Sequence, residues 1–419
     1  MNGREPGHIY INPKKAFFSA FVILVLFRIP RTYLGFPYLY SIHYATRTIA
    51  NQGELFGITI VELIAILIGL ILYTQKRDTK THYWPLLIFV IATNLFRYLA
   101  GMSNPISLNS YEIFLALLVS LSCGTIIQHF YNSAEELESL LDVIIVLFFV
   151  FQLYFIATGR GRNGSYGTVG LSGGGVAICY ATYILLKLLC KSPGTKNTIC
   201  LVCAAAGLIL TGSRTQLLLL FLFLAYYVLF MLSFSNAKKW LLIGVGLIGL
   251  LALIVGQNSI AIIANSRKLN SLMSIFSTGL YSYVTGDASA SERIRTWGAA
   301  LKVIRQNPLG ISCSVVDLQT RMFGEGSTTF PHSFLLAYYL LLGIPSVFIY
   351  GAFWKRLVKS KKGNTGITLL LIYIVLILTF YGGISTQYLL IFWLMMIYTF
   401  ASMKEHDKLL EEEEGYPID

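Results

Sequence analysis

One histidine and a set of arginines are the side chains of this sequence best suited to chemistry. His332 stands in Thr329-Phe330-Pro331-His332-Ser333, immediately before an apolar run. An imidazole there can take or give a proton near neutral pH; the plainer reading is an interface residue whose hydrogen bonds are satisfied. Arg214 stands in Thr211-Gly212-Ser213-Arg214-Thr215, a polar break between two apolar runs with almost no loop. A charge held in so tight a hairpin is costly unless paired, which points to a functional role. Arg160 and Arg162 precede Asn163-Gly164-Ser165. Glycine there either admits a ligand close to the backbone or simply makes a flexible loop. The segment lacks the Gly-Lys-Ser/Thr ending of a nucleotide phosphate loop.

Acidic residues near these groups are few: Asp287, Glu292, Asp317 and Glu325, with Glu54 nearer the amino end. No D-x-D occurs, and no His/Cys/Asp cluster has metal-ligand spacing. Metal-dependent sugar transfer is therefore not supported, and no metal or other cofactor is expected. Five of the six cysteines fall in or beside apolar runs, Cys313 being the exception, so no disulfide framework is implied. Cys200-x-x-Cys203 lies inside an apolar run with no second pair and reads as small packing residues.

Such groups need elements to hold them, and composition says which. Of 419 residues 55% are hydrophobic and 12% charged, and the mean hydropathy is +0.67. A soluble domain carries about 25% charged residues and cannot hide so much apolar side chain. The expected class is an all-α polytopic integral membrane protein. At roughly 20 apolar residues per span, the candidates are 14–33, 55–74, 83–101, 111–130, 138–158, 170–190, 197–212, 215–234, 240–256, 333–353, 366–383 and 386–403. That makes about twelve spans: a bundle over 1–256, a large loop over 257–332, three carboxyl-terminal spans over 333–403, and an acidic tail over 404–419. The first run reads as a retained span, because Arg28, Pro30 and Arg31 follow it where a cleavage site would stand. Glu62 and Asp142 are expected to face the bundle interior.

The net charge of +12 sits between apolar runs, which points to topology and anionic lipid and not to nucleic acid. Lys76, Arg77, Lys80, Lys191, Lys196, Lys238, Lys239 and the cluster from Lys355 to Lys362 fall in alternate connections. The positive-inside rule makes those loops and both termini cytoplasmic. Of the 17 lysines only Lys268 and Lys302 then lie outside; of the 15 arginines all but Arg4, Arg77 and Arg356 lie outside or at outer helix ends. Topology weighs the two residues alike and does not explain the split. Arginine offers phosphate a planar fork of donors, so an outer site for a phosphate-bearing lipid is one reading. Arginines snorkelling to the interface are the other.

Within the large loop, Ser289-x-x-Glu292 fits a capping box that opens a helix, and Asn307-Pro308 closes it near 291–306. Ile294, Trp297, Leu301 and Ile304 share one face, Arg295 and Lys302 the other, and Arg293 and Arg305 border the stripe. Such a helix lies along the membrane surface, covers a cavity, or simply packs on the bundle. Its border arginines suit lipid headgroups or a pyrophosphate.

Three blocks resemble the bacterial O-antigen polymerase and ligase superfamily. They are Thr211-Gly212-Ser213-Arg214; Arg293-Ile294-Arg295-Thr296-Trp297 running on to Asn307-Pro308-Leu309-Gly310; and His332-Ser333-Phe334-Leu335 followed by Leu342-Gly343-Ile344. The chain has His332-Ser333 where the family often has His-Asn, and Gly310-Ile311-Ser312 where it often has Gly-x-Gly. The resemblance implies a metal-independent membrane glycosyltransferase of C-type architecture in the bacterial inner membrane, acting on its extracytoplasmic side. Donor and acceptor would be glycans on undecaprenyl pyrophosphate, and membrane lipids, a flippase and a chain-length regulator would be partners. Arg214 and Arg293, with Arg160 or Arg162, would bind the pyrophosphate, and Arg295, Arg305 and Arg321 are further candidates. His332 would accept the acceptor's proton or orient its hydroxyl. On this reading the chain is a polysaccharide polymerase. The alternatives are a ligase moving the glycan to lipid A core, wall polymer or protein, and a transporter without chemistry.

Overall fold

A computed structural model describes residues 12–27, 40–43, 55–75, 92, 95, 111–157, 173–189, 195–211, 213–231, 235–236, 238–246, 288–308, 322, 333–342, 347, 351, 354–355, 365–380 and 388–413. They form helices and one small hairpin. In order these are α1 (Pro13–Leu26), β1 (Tyr40–His43), β2 (Leu55–Ile58), α2 (Ile60–Gln75), α3 (Tyr111–Phe130), α4 (Ala134–Ala157), α5 (Gly173–Leu189) and α6 (Thr195–Thr211). There follow α7 (Arg214–Phe230), α8 (Ala288–Gln306), α9 (Phe334–Leu342), α10 (Thr365–Phe380) and α11 (Tyr388–Glu413).

Helix starts follow local side-chain chemistry. Asn12 accepts the Lys14 and Lys15 backbone N–H groups, with Pro13 as the first helical residue of α1. At α2, Thr59 Oγ1 accepts from Glu62 N while Glu62 carboxylate accepts from Thr59 N, at 3.3 and 2.8 Å. This is a reciprocal capping box. It cuts the apolar run read as 55–74: residues 55–58 pair antiparallel with β1, Tyr40 opposite Ile58 and His43 opposite Leu55, and the helix waits for Thr59. Ser133 accepts from Glu136 N and the Glu136 carboxylate accepts from Asn132 N, so α4 starts at Ala134 and Glu135, Glu136 and Glu138 belong to its first turns. At the far end α11 runs on to Glu413, carrying Glu411, Glu412 and Glu413 as helix. The runs at 83–101 and 240–256 lie largely outside the described residues, although 92, 95 and 238–246 are helical.

Side-chain bonds fix which helix ends lie together. Lys15 meets Glu136 at 2.8 Å and stacks over the Tyr131 ring, whose hydroxyl shares a 2.7 Å bond with Ser19. Burial raises the Tyr131 phenol above its usual range against the lowering pull of Ser19, so it stays protonated and able to donate. Gln128 donates to Thr399 at 2.8 Å, and Lys187 bonds Glu138 and Asp142. The start of α1, end of α3, start of α4, end of α5 and the Thr399 turn of α11 therefore share one end of the bundle. Toward the other end, Gln152 donates to the Gly207 carbonyl at 3.1 Å and accepts from Tyr180. The chain runs back and forth between the two.

α5 is the central post and packs against α4, α6, α7, α10 and α11. Trp393 on α11 donates to Thr182 at 2.7 Å, with its ring beside Phe148 and Tyr183. Close approach depends on small residues, as is usual where lipid removes the hydrophobic drive between helices. A Cβ on Gly69 would fall 2.7 Å from Ser122 Cβ, so α2 and α3 meet almost backbone to backbone.

The outer surface carries large apolar side chains. On α2, Ile60, Leu63, Ile64, Leu67, Leu70 and Ile71 are all exposed, a continuous stripe at helical spacing. Water does not tolerate such a stripe, and lipid does. By length and composition Ala134–Tyr154 alone suffices to span a bilayer among the described residues, with seven shorter apolar helices beside it. Glu62 and Asp142 face inward as expected, Glu62 being buried and Asp142 bonded to Tyr183 and Lys187.

Candidate functional site

The first motif block is the turn between α6 and α7. Thr211 ends α6, its hydroxyl donating to the Leu208 carbonyl at 2.6 Å and accepting from Ser213 N at 3.3 Å. Ser213 is the N-cap of α7 and Arg214 its first residue, with no side-chain cap bond and no acid in the first turn. One turn in, Gln216 is buried and accepts from the Tyr373 hydroxyl at 3.0 Å, tying the start of α7 to α10.

The second block is α8. It begins by Ala288, so Ser289 is already helical and does not serve as the cap expected of it; Asn307 does close the helix, through bonds to Val303 and Ile304 carbonyls. The packed face also differs from the expected one. Thr296, Ala300 and Val303 are buried, Arg293, Trp297, Ile304 and Asn307 half-buried, and Ile294 and Leu301 are 53% and 50% exposed. The small side chains of Thr296 and Ala300 let α8 approach its neighbour, and the bulky pair is turned outward. Arg293 lies on the packed face and Arg295, Lys302 and Arg305 on the exposed one. Nε of Arg293 is enclosed and has no hydrogen-bond acceptor among the described residues.

The third block begins at α9. Ser333 is buried and its hydroxyl accepts from Leu336 N at 3.3 Å, which makes it the N-cap. Asparagine caps a helix as well as serine does. The departure from His-Asn to His332-Ser333 therefore keeps the cap that starts the helix after the histidine. α9 packs on α8 and α10, and Tyr339 donates to the Pro308 carbonyl at the end of α8. The three blocks are thus joined mechanically: α8 to α9, α9 to α10, and α10 to α7 through Tyr373. His332, Arg160, Arg162 and Arg321 lie outside the described residues, as do Asp287, Asp317, Glu325 and Glu54.

One polar cluster was not expected from the sequence. Lys187, 1% exposed, bonds Glu138 on α4 and meets Asp142 at 2.7 Å; Asp142 also accepts from Tyr183 at 2.5 Å. A lysine inside an apolar run, with two acids spaced i and i+4 on another, was the available signal. The cluster sits at the end of α5, where the chain turns into α6, and so one full helix away from Arg214.

Residues 199–351 match the family model described as O-Antigen ligase. The matched segment contains all three motif blocks and supports the O-antigen polymerase and ligase superfamily read from them. The helical fold and its lipid-facing surface are those of a membrane protein. No curated protein matches the chain.

Proposed function

We propose that the chain is a polysaccharide polymerase that moves a growing glycan from undecaprenyl pyrophosphate to a lipid-linked repeat unit, on the extracytoplasmic side of the bacterial inner membrane. The observation that carries this is Arg293. A guanidinium nitrogen enclosed by protein that has no acceptor among the described residues is costly, and such groups are met by a ligand or ion. A pyrophosphate oxygen has the charge and geometry to meet it. Arg214 supports the same reading: it opens a helix whose first turn has no acid and no side-chain cap, where backbone N–H groups and helix dipole favour an anion.

In the proposed reaction an acceptor hydroxyl attacks the anomeric carbon of the donor. The new C–O bond forms as the bond from that carbon to the pyrophosphate oxygen breaks. Arg214 and Arg293, with Arg160 or Arg162, hold the charge that develops on the departing phosphate. His332, one residue before the capped start of α9, accepts the hydroxyl proton or orients it. No metal is needed for this division of labour, because the leaving group departs as an anion already held by cations.

The test is chain elongation with defined lipid-linked repeat units and the full-length protein. Elongation by the wild type, with loss in His332→Ala, Arg214→Ala and Arg293→Ala at normal membrane levels, is the expected result. Transfer only to an acceptor that is not carrier-linked would make it a ligase. Normal polymer from all three variants would end the enzymatic reading.

A further inference from the structure

We propose that α8 is seated in the outer leaflet, with Ile294 and Leu301 in the acyl boundary and Arg295, Lys302 and Arg305 on anionic phospholipid headgroups. The proposal needs a membrane protein with α8 at its surface, not the reaction proposed above. At 100° per residue the exposed residues of α8 form one continuous arc. Taken around the helix, it runs Leu301, Ile294, Arg305, Gly298, Lys302, Arg295, and every one of these is exposed. Half-buried Trp297 and Ile304 continue it on the apolar side. The buried residues Thr296, Ala300 and Val303, with Arg293, occupy the opposite side, against the protein.

The arc is therefore graded and not mixed. One border is aromatic and aliphatic; the other is cationic. A helix lying in a membrane interface has this cross-section, since its apolar border sinks while long basic side chains reach back to the phosphates. The one acid of the helix is Glu292 near its start, and none follows from Arg293 to Gln306. Arg295 to Arg305 spans about 15 Å along the axis at 1.5 Å per residue. A row of cations flanking exposed aliphatic side chains is complementary to an anionic bilayer surface. An acidic protein would match the cations but would leave Ile294 and Leu301 facing charge. The same geometry gives the arginines different surroundings, with Arg293 facing the protein and Arg295 and Arg305 facing lipid.

The test places a benzoylphenylalanine photocrosslinker at Leu301 in the full-length protein. The protein is reconstituted in phosphatidylcholine nanodiscs, with or without phosphatidylglycerol. Each cation near an anionic surface contributes about fivefold to attraction. The ratio of phosphatidylglycerol to phosphatidylcholine in the adducts should therefore exceed the bulk ratio at least about fivefold. In Arg295→Gln/Lys302→Gln/Arg305→Gln it should fall back to the bulk ratio, while Arg293→Gln should leave the enrichment unchanged. Adducts to protein in place of lipid would overturn the proposal, as would equal capture of neutral and anionic lipid by the wild type. None of these readouts uses polymer formation, so the catalytic reading can fail while this one stands.

Discussion

Replacing Lys187 with methionine tests how this bundle tolerates charge in its interior. The side chains of Lys187 and Glu138 are 1% and 9% exposed, and that of Asp142 20%. Removing the lysine leaves two carboxylates one turn apart on the same face of α4 with no counter-charge from α5. Breaking a buried pair in this way costs about 3–5 kcal/mol. Here the lower half applies, because Asp142 keeps its bond from Tyr183 and some access to the surface. The expected loss is therefore about 3 kcal/mol, or on the order of a hundredfold in the folded-to-unfolded ratio. Thermal unfolding of the purified protein in detergent, followed by tryptophan fluorescence, would read it. Lys187→Met/Glu138→Gln/Asp142→Asn removes all three charges and should recover to within about 1 kcal/mol of the wild type. Equal losses in the single and triple variants would mean that packing, not unpaired charge, is responsible. A stable single variant would refute the reasoning outright. Because the cluster lies a full helix away from Arg214, the folded fraction of Lys187→Met should retain its activity.

Single contacts elsewhere in the bundle can be tested in the same way. Ser333→Ala removes the cap of α9 and should lower stability by about 1 kcal/mol, whereas Ser333→Asn should melt with the wild type. Gly207→Val should destabilise by about 1–3 kcal/mol in the same unfolding assay, because side-chain atoms there would land on the Tyr180 ring and disturb the Gln152 bond to Gly207. Arg293→Lys keeps a charge but loses the fork, so elongation should fall well below the wild type; Arg293→Ala should cost about a hundredfold. Equal elongation rates for Arg293→Lys and the wild type would remove the need for a bidentate contact.

What was legible in the sequence follows from which signals are local. The helical class was, because lipid leaves a chain little choice beyond helices and closed barrels, and composition alone reveals lipid. Helix ends were legible where a capping pair could be recognised, but the pattern alone does not say which pair is used. Thr59-x-x-Glu62 caps α2 inside what looks like one apolar run, while Ser289-x-x-Glu292, the same pattern, lies within a helix already under way. The seat of α8 was not legible for a different reason. Its hydrophobic stripe predicts a buried face, but the partner surface selects small residues, and Thr296 with Ala300 wins over Ile294 with Leu301. The Lys187 cluster joins residues far apart along the chain, and no local pattern in α4 announces the lysine on α5.

The described cations also divide by how their charge is met, which bears on the arginine-rich side. At the end of the bundle where α1 and α4 begin and α5 ends, Lys15 is paired with Glu136, and Lys187 with Glu138 and Asp142. On α8, Arg293, Lys302 and Arg305 have no carboxylate partner among the described residues. A fold that only needed these cations for packing would be expected to neutralise them as it does Lys187, since an uncompensated charge near low dielectric is costly. Leaving them open is consistent with a counter-charge that arrives from outside the chain. On the two readings proposed above, that counter-charge is a bound pyrophosphate for Arg293 and the leaflet for Lys302 and Arg305. Gln substitution on the arc should change lipid capture alone, and substitution of Arg293 should change transfer alone.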